Sequence, residues 1–291
     1  MKIGIVILNY LNWEDTVECI QSIKTQTYDG LEIVVVDNCS NNMSIENIKK
    51  HLPNYTKIHF LQTKENLGFA KGNNVGISYC TTQLKINNVF VVNNDTIFTD
   101  ELFFEKLSRI DIGNNIGAVG TEIIGSDGEN QNPIEFSANF KSIIREYLFP
   151  VILFLRNIGL LKQNIKDEKK IENNENKNKN NENFILHGAA IFLTENYLNQ
   201  INGFYPKTFL YYEENILGII FKKMNLEMLY YDETSIYHKE DQSSIKSFSN
   251  QSKIKYKFGR KSVKEALKLF FAKPERIKKI VNEQKYYYDI K

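Results

Sequence analysis

Through residues 1–125, continuous apolar runs alternate with stretches of helical periodicity. Residues 3–8 (IGIVIL) are apolar throughout and stop at Asn9-Tyr10. Such a run suits a strand buried on both faces of a parallel sheet. Asn12 then stands where a helix cap is wanted, and Glu14 and Asp15 fill a first turn that favours acids. Val17, Ile20 and Ile23 give that helix one apolar face. The cycle repeats. Residues 31–36 (LEIVVV) predict a second strand ending at Asp37-Asn38, with a short helix from Ser44. Residues 57–61 (KIHFL) predict a third, ending before Glu65-Asn66 and followed by a glycine-containing turn and a helix to about Cys80. Residues 89–92 predict a fourth, ending in Asn93-Asn94-Asp95. Asp100 is placed to cap another helix, and residues 117–124 predict a fifth strand.

Strands alternating with helices predict an α/β fold with a mostly parallel, Rossmann-like sheet flanked by helices. Ligands of such sheets bind outside the carboxyl ends of the strands. Asn9, Asp37, Glu65-Asn66 and Asn93 to Asp95 all fall at those ends, so position alone marks them. Further along, residues 147–161 are strongly apolar but too short to span a bilayer, and residues 162–183 are almost only Asn, Lys and Glu, a composition expected of a mobile loop. Strand-like order resumes at residues 188–193, a helix is predicted over 214–224, and residues 228–231 and 235–238 read as two short strands. The last segment predicts a helical, basic extension. Residues 253–291 hold 13 Lys and Arg against 4 Asp and Glu, a local net of about +9 that leaves the remainder near −7. Basic residues interleaved with Phe258, Leu267, Phe270 and Ile277 could lie on an anionic membrane surface or form a solvated face.

Composition changes this picture little. The 291 residues are 42% hydrophobic and 25% charged, ordinary for a globular protein, and the net charge of +2 gives no reason to expect nucleic acid as a partner. Three cysteines (Cys19, Cys39, Cys80) without metal spacing suit a reducing, cytoplasmic compartment. No basic region followed by an apolar one marks a signal peptide at the start.

Several groups could carry chemistry. Asp95, at a strand end, is a ready ligand for a hard cation, although Asn and Asp also dominate plain turns. Asp37 could accept from a ribose hydroxyl or cap the next helix. Residues 65–74 (ENLGFAKGNN) form a glycine-bearing strand-to-helix junction, where a backbone can approach a ligand closely and a helix start favours phosphate. The string is neither a Walker A loop nor GxGxxG, which disfavours P-loop kinases, ATPases and dinucleotide enzymes. Glu213 and Glu214 are adjacent at a helix start and so point in different directions; one of them could be a general base. His238 ends a strand, where imidazole is structural or a metal ligand shared with a carboxylate. His51, His59 and His187 lack that context, although His187 just precedes Gly188 and could line a pocket.

Taken in order, seven strings resemble glycosyltransferase family 2 with its GT-A fold: IGIVILNYLNWEDTVECIQSI (3–23), EIVVVDNCS (32–40), ENLGFAKGNNVGI (65–77), VVNNDT (91–96), GAAIFLT (188–194), GFYPKTFLYYEEN (203–215) and SIYHK (235–239). The resemblance is closest to the rhamnosyltransferase-like bacterial branch that builds surface polysaccharides. It implies a GT-A unit over 1–245: a nucleotide-sugar half at 1–125, a variable part at 126–183 and an acceptor and catalytic half at 184–245, with an extension at 246–291. It implies that Asn9 and Tyr10 line the nucleotide site, that Asp37 binds base or ribose, and that Asn66, Gly68 and Lys71 lie along the nucleotide. Asn93 and Asn94 would adjoin the donor, with Asn93 standing in the first acidic position of the family's Asp-any-Asp motif. Asp95 would bind Mg²⁺ or Mn²⁺, and His238 would be the second ligand to the metal or the diphosphate. Glu214 would be the catalytic base where the family more often has Asp, and Gly188, Ala189 and Glu213 would face the acceptor. The implied partners are a nucleotide diphosphate-sugar and a glycan or lipid-linked glycan. The implied reaction is metal-dependent transfer with inversion. A degenerate nucleotide-sugar binder and a nucleotidyltransferase are the alternatives.

Overall fold

The computed structural model describes residues 1–53, 56–136, 143–145, 147–148, 184–240 and 251–291. Most of the apolar segment at 147–161 and all of the Asn/Lys-rich stretch at 162–183 lie outside the described residues. The centre is a nine-stranded sheet in the order β11-β3-β2-β1-β4-β9-β6-β10-β5. Strands β1 (Ile3–Asn9), β2 (Leu31–Asp37), β3 (Ile58–Thr63) and β4 (Val89–Asn93) form its parallel part. Beyond β4 the sheet is mixed. Strand β9 (Ala190–Leu193) runs antiparallel between β4 and β6 (Ile116–Ile124), β10 (Glu227–His238) is parallel to β6, and β5 (Thr96–Phe98) closes the edge antiparallel to β10. A separate two-stranded ribbon pairs β7 (Ile134–Glu135) with β8 (Phe184–Ile185).

The unbroken apolar runs have a physical reason, because alternate side chains serve two cores. On one face Ile3, Ile5, Ile7, Ile33 and Val35 pack with helices α1 (Trp13–Lys24), α2 (Ser44–His51) and α4 (Phe103–Ser108). On the other, Val6, Val34 and Val36 pack with α3 (Gly68–Tyr79) and α6 (Glu213–Met224). A short helix, α5 (Glu195–Leu198), follows β9.

Three expectations change. Residues 228–231 and 235–238 are one strand, not two, because the register shift between Tyr231 and Ser235 leaves residues 232–234 unpaired within β10. Strand β5 follows the Asn93-Asn94-Asp95 turn after no gap and was not expected, being only three residues long. Asp100 lies ahead of α4 rather than at its cap position, and its carboxylate accepts from Leu102 N.

The basic C-terminal segment is helical as expected, but it joins the same core. Helices α7 (Gln251–Phe271) and α8 (Pro274–Asn282) bury Val263, Ala266, Leu269, Ile277 and Val281 in the cluster that holds α6. Strand β11 (Tyr288–Ile290) then adds to the β3 edge of the sheet. Among the described residues, no helix is long and apolar enough to cross a membrane.

Candidate active site

A cavity of about 500 Å³ opens at the carboxyl ends of β1 and β4, walled by residues 187–189, residues 209–212 and the first turn of α6. Eleven of the fourteen expected site residues line it: Tyr10, Asn66, Gly68, Asn93, Asn94, Asp95, Gly188, Ala189, Glu213, Glu214 and His238.

The other three do not. Asn9 and Asp37 are fully buried beneath the cavity and paired across the β1–β2 register. Asn9 Nδ2 donates to Asp37 Oδ1 at 2.7 Å, and Asp37 Oδ2 accepts from Ser40 N and Gln62 Nε2 at 3.1 Å each. With three protein donors on it, this carboxylate ties the β1, β2 and β3 ends together and does not line the cavity. Its neighbour Asn38 reaches the cavity instead, and the sequence reading gave it no role. Asn38 Oδ1 accepts from Leu67 N at 2.9 Å while its Nδ2 donates to Asn66 Oδ1 at 3.0 Å, fixing the start of α3. Gly68 there has φ +75°, and a Cβ would lie 2.2 Å from Phe209 O, so only glycine fits under residue 209. Lys71, one turn further, opens onto a different groove.

Asn94 lines the cavity but its amide is turned inward, donating to Asn12 O at 2.9 Å and Thr16 Oγ1 at 3.1 Å. This leaves Asp95 as the acid of the turn. Pairing of β5 with β10 sets His238 opposite Thr96 and so beside Asp95. The His238 Nε2 to Asp95 Oδ1 distance is 3.4 Å, both side chains are buried, and Asp95 Oδ1 has no hydrogen-bond donor among the described residues.

The other imidazole nitrogen explains that gap. Gln131 donates its amide N–H to Glu240 Oε1, which turns Gln131 Oε1 toward His238 Nδ1 at 2.9 Å. Nδ1 therefore carries the proton. In the neutral ring, Nε2 is a bare lone pair aimed at a carboxylate oxygen. Two acceptors facing each other at this distance suit a cation between them, and the second-partner hydrogen bond is the arrangement that orients metal-binding histidines. Among the described residues no group of three His, Cys, Asp or Glu side chains gathers as a metal cage. These two side chains alone could hold a hard cation only if other oxygens, such as those of a diphosphate, completed its shell. His187 packs edge-on to His238 at 5.8 Å between ring centroids. Burial, then the neighbouring imidazole, pushes its pKa down to about 4, so it stays neutral; its Nδ1 accepts from Ala189 N at 3.1 Å.

Across the cavity stand the two glutamates. Tyr211 and Tyr212 both adopt left-handed backbone, φ 69° and 75°, a strained turn that launches α6 with its acids at the cavity. Such residues cost of the order of 1–3 kcal/mol each and cluster at functional sites. The Glu214 carboxylate lies over Gly188, where a Cβ would be 2.5 Å from Oε1. Burial raises its pKa, while its own backbone N–H and that of Gly188 oppose the rise. Glu213 is buried, with Oε1 lacking a partner among the described residues. Burial, then the charge of Glu214, lifts its pKa to about 8, which favours the protonated form at neutral pH.

Comparison with known proteins bears on the family and the fold. The sequence profile described as "Glycosyl transferase family 2" matches residues 4–191. The low-salt glycan biosynthesis hexosyltransferase Agl10 of Haloferax volcanii is 26% identical over 214 residues, 73% of this chain and 59% of that protein. The chain thus spans less than two thirds of that relative. S. aureus TarS (residues 1–349), solved with UDP-GlcNAc, superposes with a TM-score of 0.54 at 14% identity, covering 97% of this chain and 71% of that one. The mannosyltransferase PcManGT of Pyrobaculum calidifontis, solved with GDP-Man and Mn²⁺, gives 0.54 at 12% identity over 97% and 73%. At these identities the structural likeness shows the shared GT-A fold.

Proposed function

Because the chain belongs to glycosyl transferase family 2, we propose that it transfers a sugar from a nucleotide diphosphate-sugar to an acceptor hydroxyl, with inversion at the anomeric carbon. The observation that carries the reading is that Asp95, His238 and Glu214 face one cavity from three distant parts of the chain. Solved neighbours hold UDP-GlcNAc or GDP-Man, which supports a donor of that class.

Glu214 takes the proton of the acceptor hydroxyl as its oxygen bonds to the anomeric carbon, and the bond to the nucleoside diphosphate breaks on the opposite side. One base and one in-line displacement invert the centre. A base so positioned contributes about 10² to 10⁴ in rate. Mg²⁺ or Mn²⁺ held by Asp95 and His238 would neutralise the charge growing on the departing diphosphate. Glu213, protonated, adds no second negative charge beside the base and can donate to the acceptor. The acceptor is a glycan or lipid-linked glycan of surface-polysaccharide assembly, met at the inner face of a membrane by the exposed cations of α7.

Glu214→Gln is the test. It is expected to abolish transfer while nucleotide-sugar binding, read by thermal shift, persists. Near-normal turnover in that variant would falsify the base assignment. Hydrolysis of nucleotide sugars with added Mn²⁺ separates an enzyme from a binder that has lost its chemistry.

A further inference from the structure

A second groove, of about 510 Å³, lies behind the first and shares Phe209 with it as a wall. Three elements build it: Lys71 from α3, Lys207 and Thr208 from the loop before α6, and Phe258 and Lys261 from α7. None of the three lysines has an ion-pair or hydrogen-bond partner among the described residues. Phe209 and Phe258 stack at 4.7 Å between centroids, 26° apart, giving the groove an aromatic side. The wall is fixed from below, since Phe69 N donates to Phe209 O at 2.8 Å, and from the α7 side, where the Ser262 hydroxyl donates to Leu210 O at 3.3 Å.

The charges of the two cavities are opposite. The first presents the carboxyl groups of Glu214, Glu240 and Asp95, which favours an acceptor entering it by an uncharged hydroxyl end. Three cations left unpaired in adjoining space attract the opposite kind of group. Resting on the transfer reading above, we propose that this groove binds the phosphate-bearing end of the acceptor. The acceptor then spans Phe209, with its anionic end among Lys71, Lys207 and Lys261 and its hydroxyl beside Glu214. The phenylalanine pair packs against the sugar face or prenyl carbons next to the phosphate. Lysines act here as point charges for phosphate, so binding weakens with salt.

The test is calorimetric titration of the full chain with inorganic diphosphate in EDTA, without donor or metal. Wild type is expected to bind saturably, Lys207→Gln/Lys261→Gln at least about tenfold more weakly, and Lys207→Arg/Lys261→Arg close to wild type. Lys264→Gln removes an exposed cation of α7 that does not line the groove, and it is expected to change nothing. Equal weakening by Lys264→Gln, or undiminished binding by the double glutamine variant, overturns the proposal. Two further probes separate the sources of phosphate, and groove-dependent binding of either supports the proposal. One is phosphatidylcholine vesicles with and without a polyprenyl phosphate; the other is soluble glucose 1-phosphate. A groove that binds diphosphate in a protein that hydrolyses no nucleotide sugar would overturn the acceptor assignment through the failure of transfer itself, a result distinct from a groove that does not bind.

Discussion

Gly188→Ala tests the active-site reading at a residue that carries no functional group. The added Cβ would lie 2.5 Å from Glu214 Oε1, against 3.4 Å for ordinary contact, so the carboxylate must retreat by about 0.9 Å. Misplacing a reacting group by about 1 Å costs roughly 10²-fold in rate. The expected result is a fall in kcat of about two orders of magnitude, with donor binding intact. Because the clash is with the end of a flexible side chain, stability should change by less than about 1 kcal/mol. The displaced carboxylate also loses the Gly188 N–H that holds its pKa down. The base works ionised, so the acid limb of the rate profile should move to higher pH. Shortening the base relieves the overlap, and Gly188→Ala/Glu214→Asp should therefore be faster than the product of the two single effects predicts. Steady-state kinetics over a pH series on the four proteins reads all of this. A Gly188→Ala enzyme with unchanged kcat and unchanged acid limb would refute the reasoning.

Gln131→Leu removes the acceptor that fixes His238 Nδ1 and should weaken Mn²⁺ binding about 10- to 100-fold by calorimetry or electron paramagnetic resonance; unaltered affinity counts against the orienting role. Glu213, with its pKa raised from 4.5 to about 8, stabilises the fold fully below pH 4.5 and loses that contribution as pH rises through 8. The upper bound is about 5 kcal/mol at ~1.4 per unit. Glu213→Gln should flatten the fall of Tm across that window, and a parallel curve would show that the carboxyl does not titrate there. Phe90 is buried and meets Phe98, Phe103, Phe104 and Phe192 in one aromatic cluster. Phe90→Ala should cost about 3–5 kcal/mol in urea unfolding; a loss under 1 kcal/mol would mean the cluster repacks.

The parallel half of the fold was legible because β1, β2 and β4 are buried on two sides, which leaves apolar runs with no alternation to misread, while β3 is partly exposed at His59 and Gln62. The antiparallel half was harder. Three residues, Thr96 to Phe98, are too few to show a period, and the polar stretch at 232–234 looks like a turn although it is an interruption within β10. Site residues divide similarly. Asp95, Glu214 and His238 came from the order of family strings, and their shared cavity then followed from pairing that no local pattern encodes. Asp37 has the right type and the right strand end, but residue type does not tell whether a carboxylate faces out or is consumed by Ser40 and Gln62. Gln131 and Glu240 gave no signal, because an amide in a loop becomes an orienting group only once the imidazole beside it is placed.

Side chains in a strand change sides at every residue, so a slip of one position between β5 and β10 would swing the His238 ring to the far side of the sheet, away from Asp95. Residues 232–234, which have no register partner in β6, lie shortly before that pairing. Lys106 donates to Glu233 O and Thr234 donates to Asp100 Oδ2, so the interruption is held in place just before the pairing from Ile236 to His238. The three pairs at this edge thus keep the imidazole beside the acid of the preceding turn.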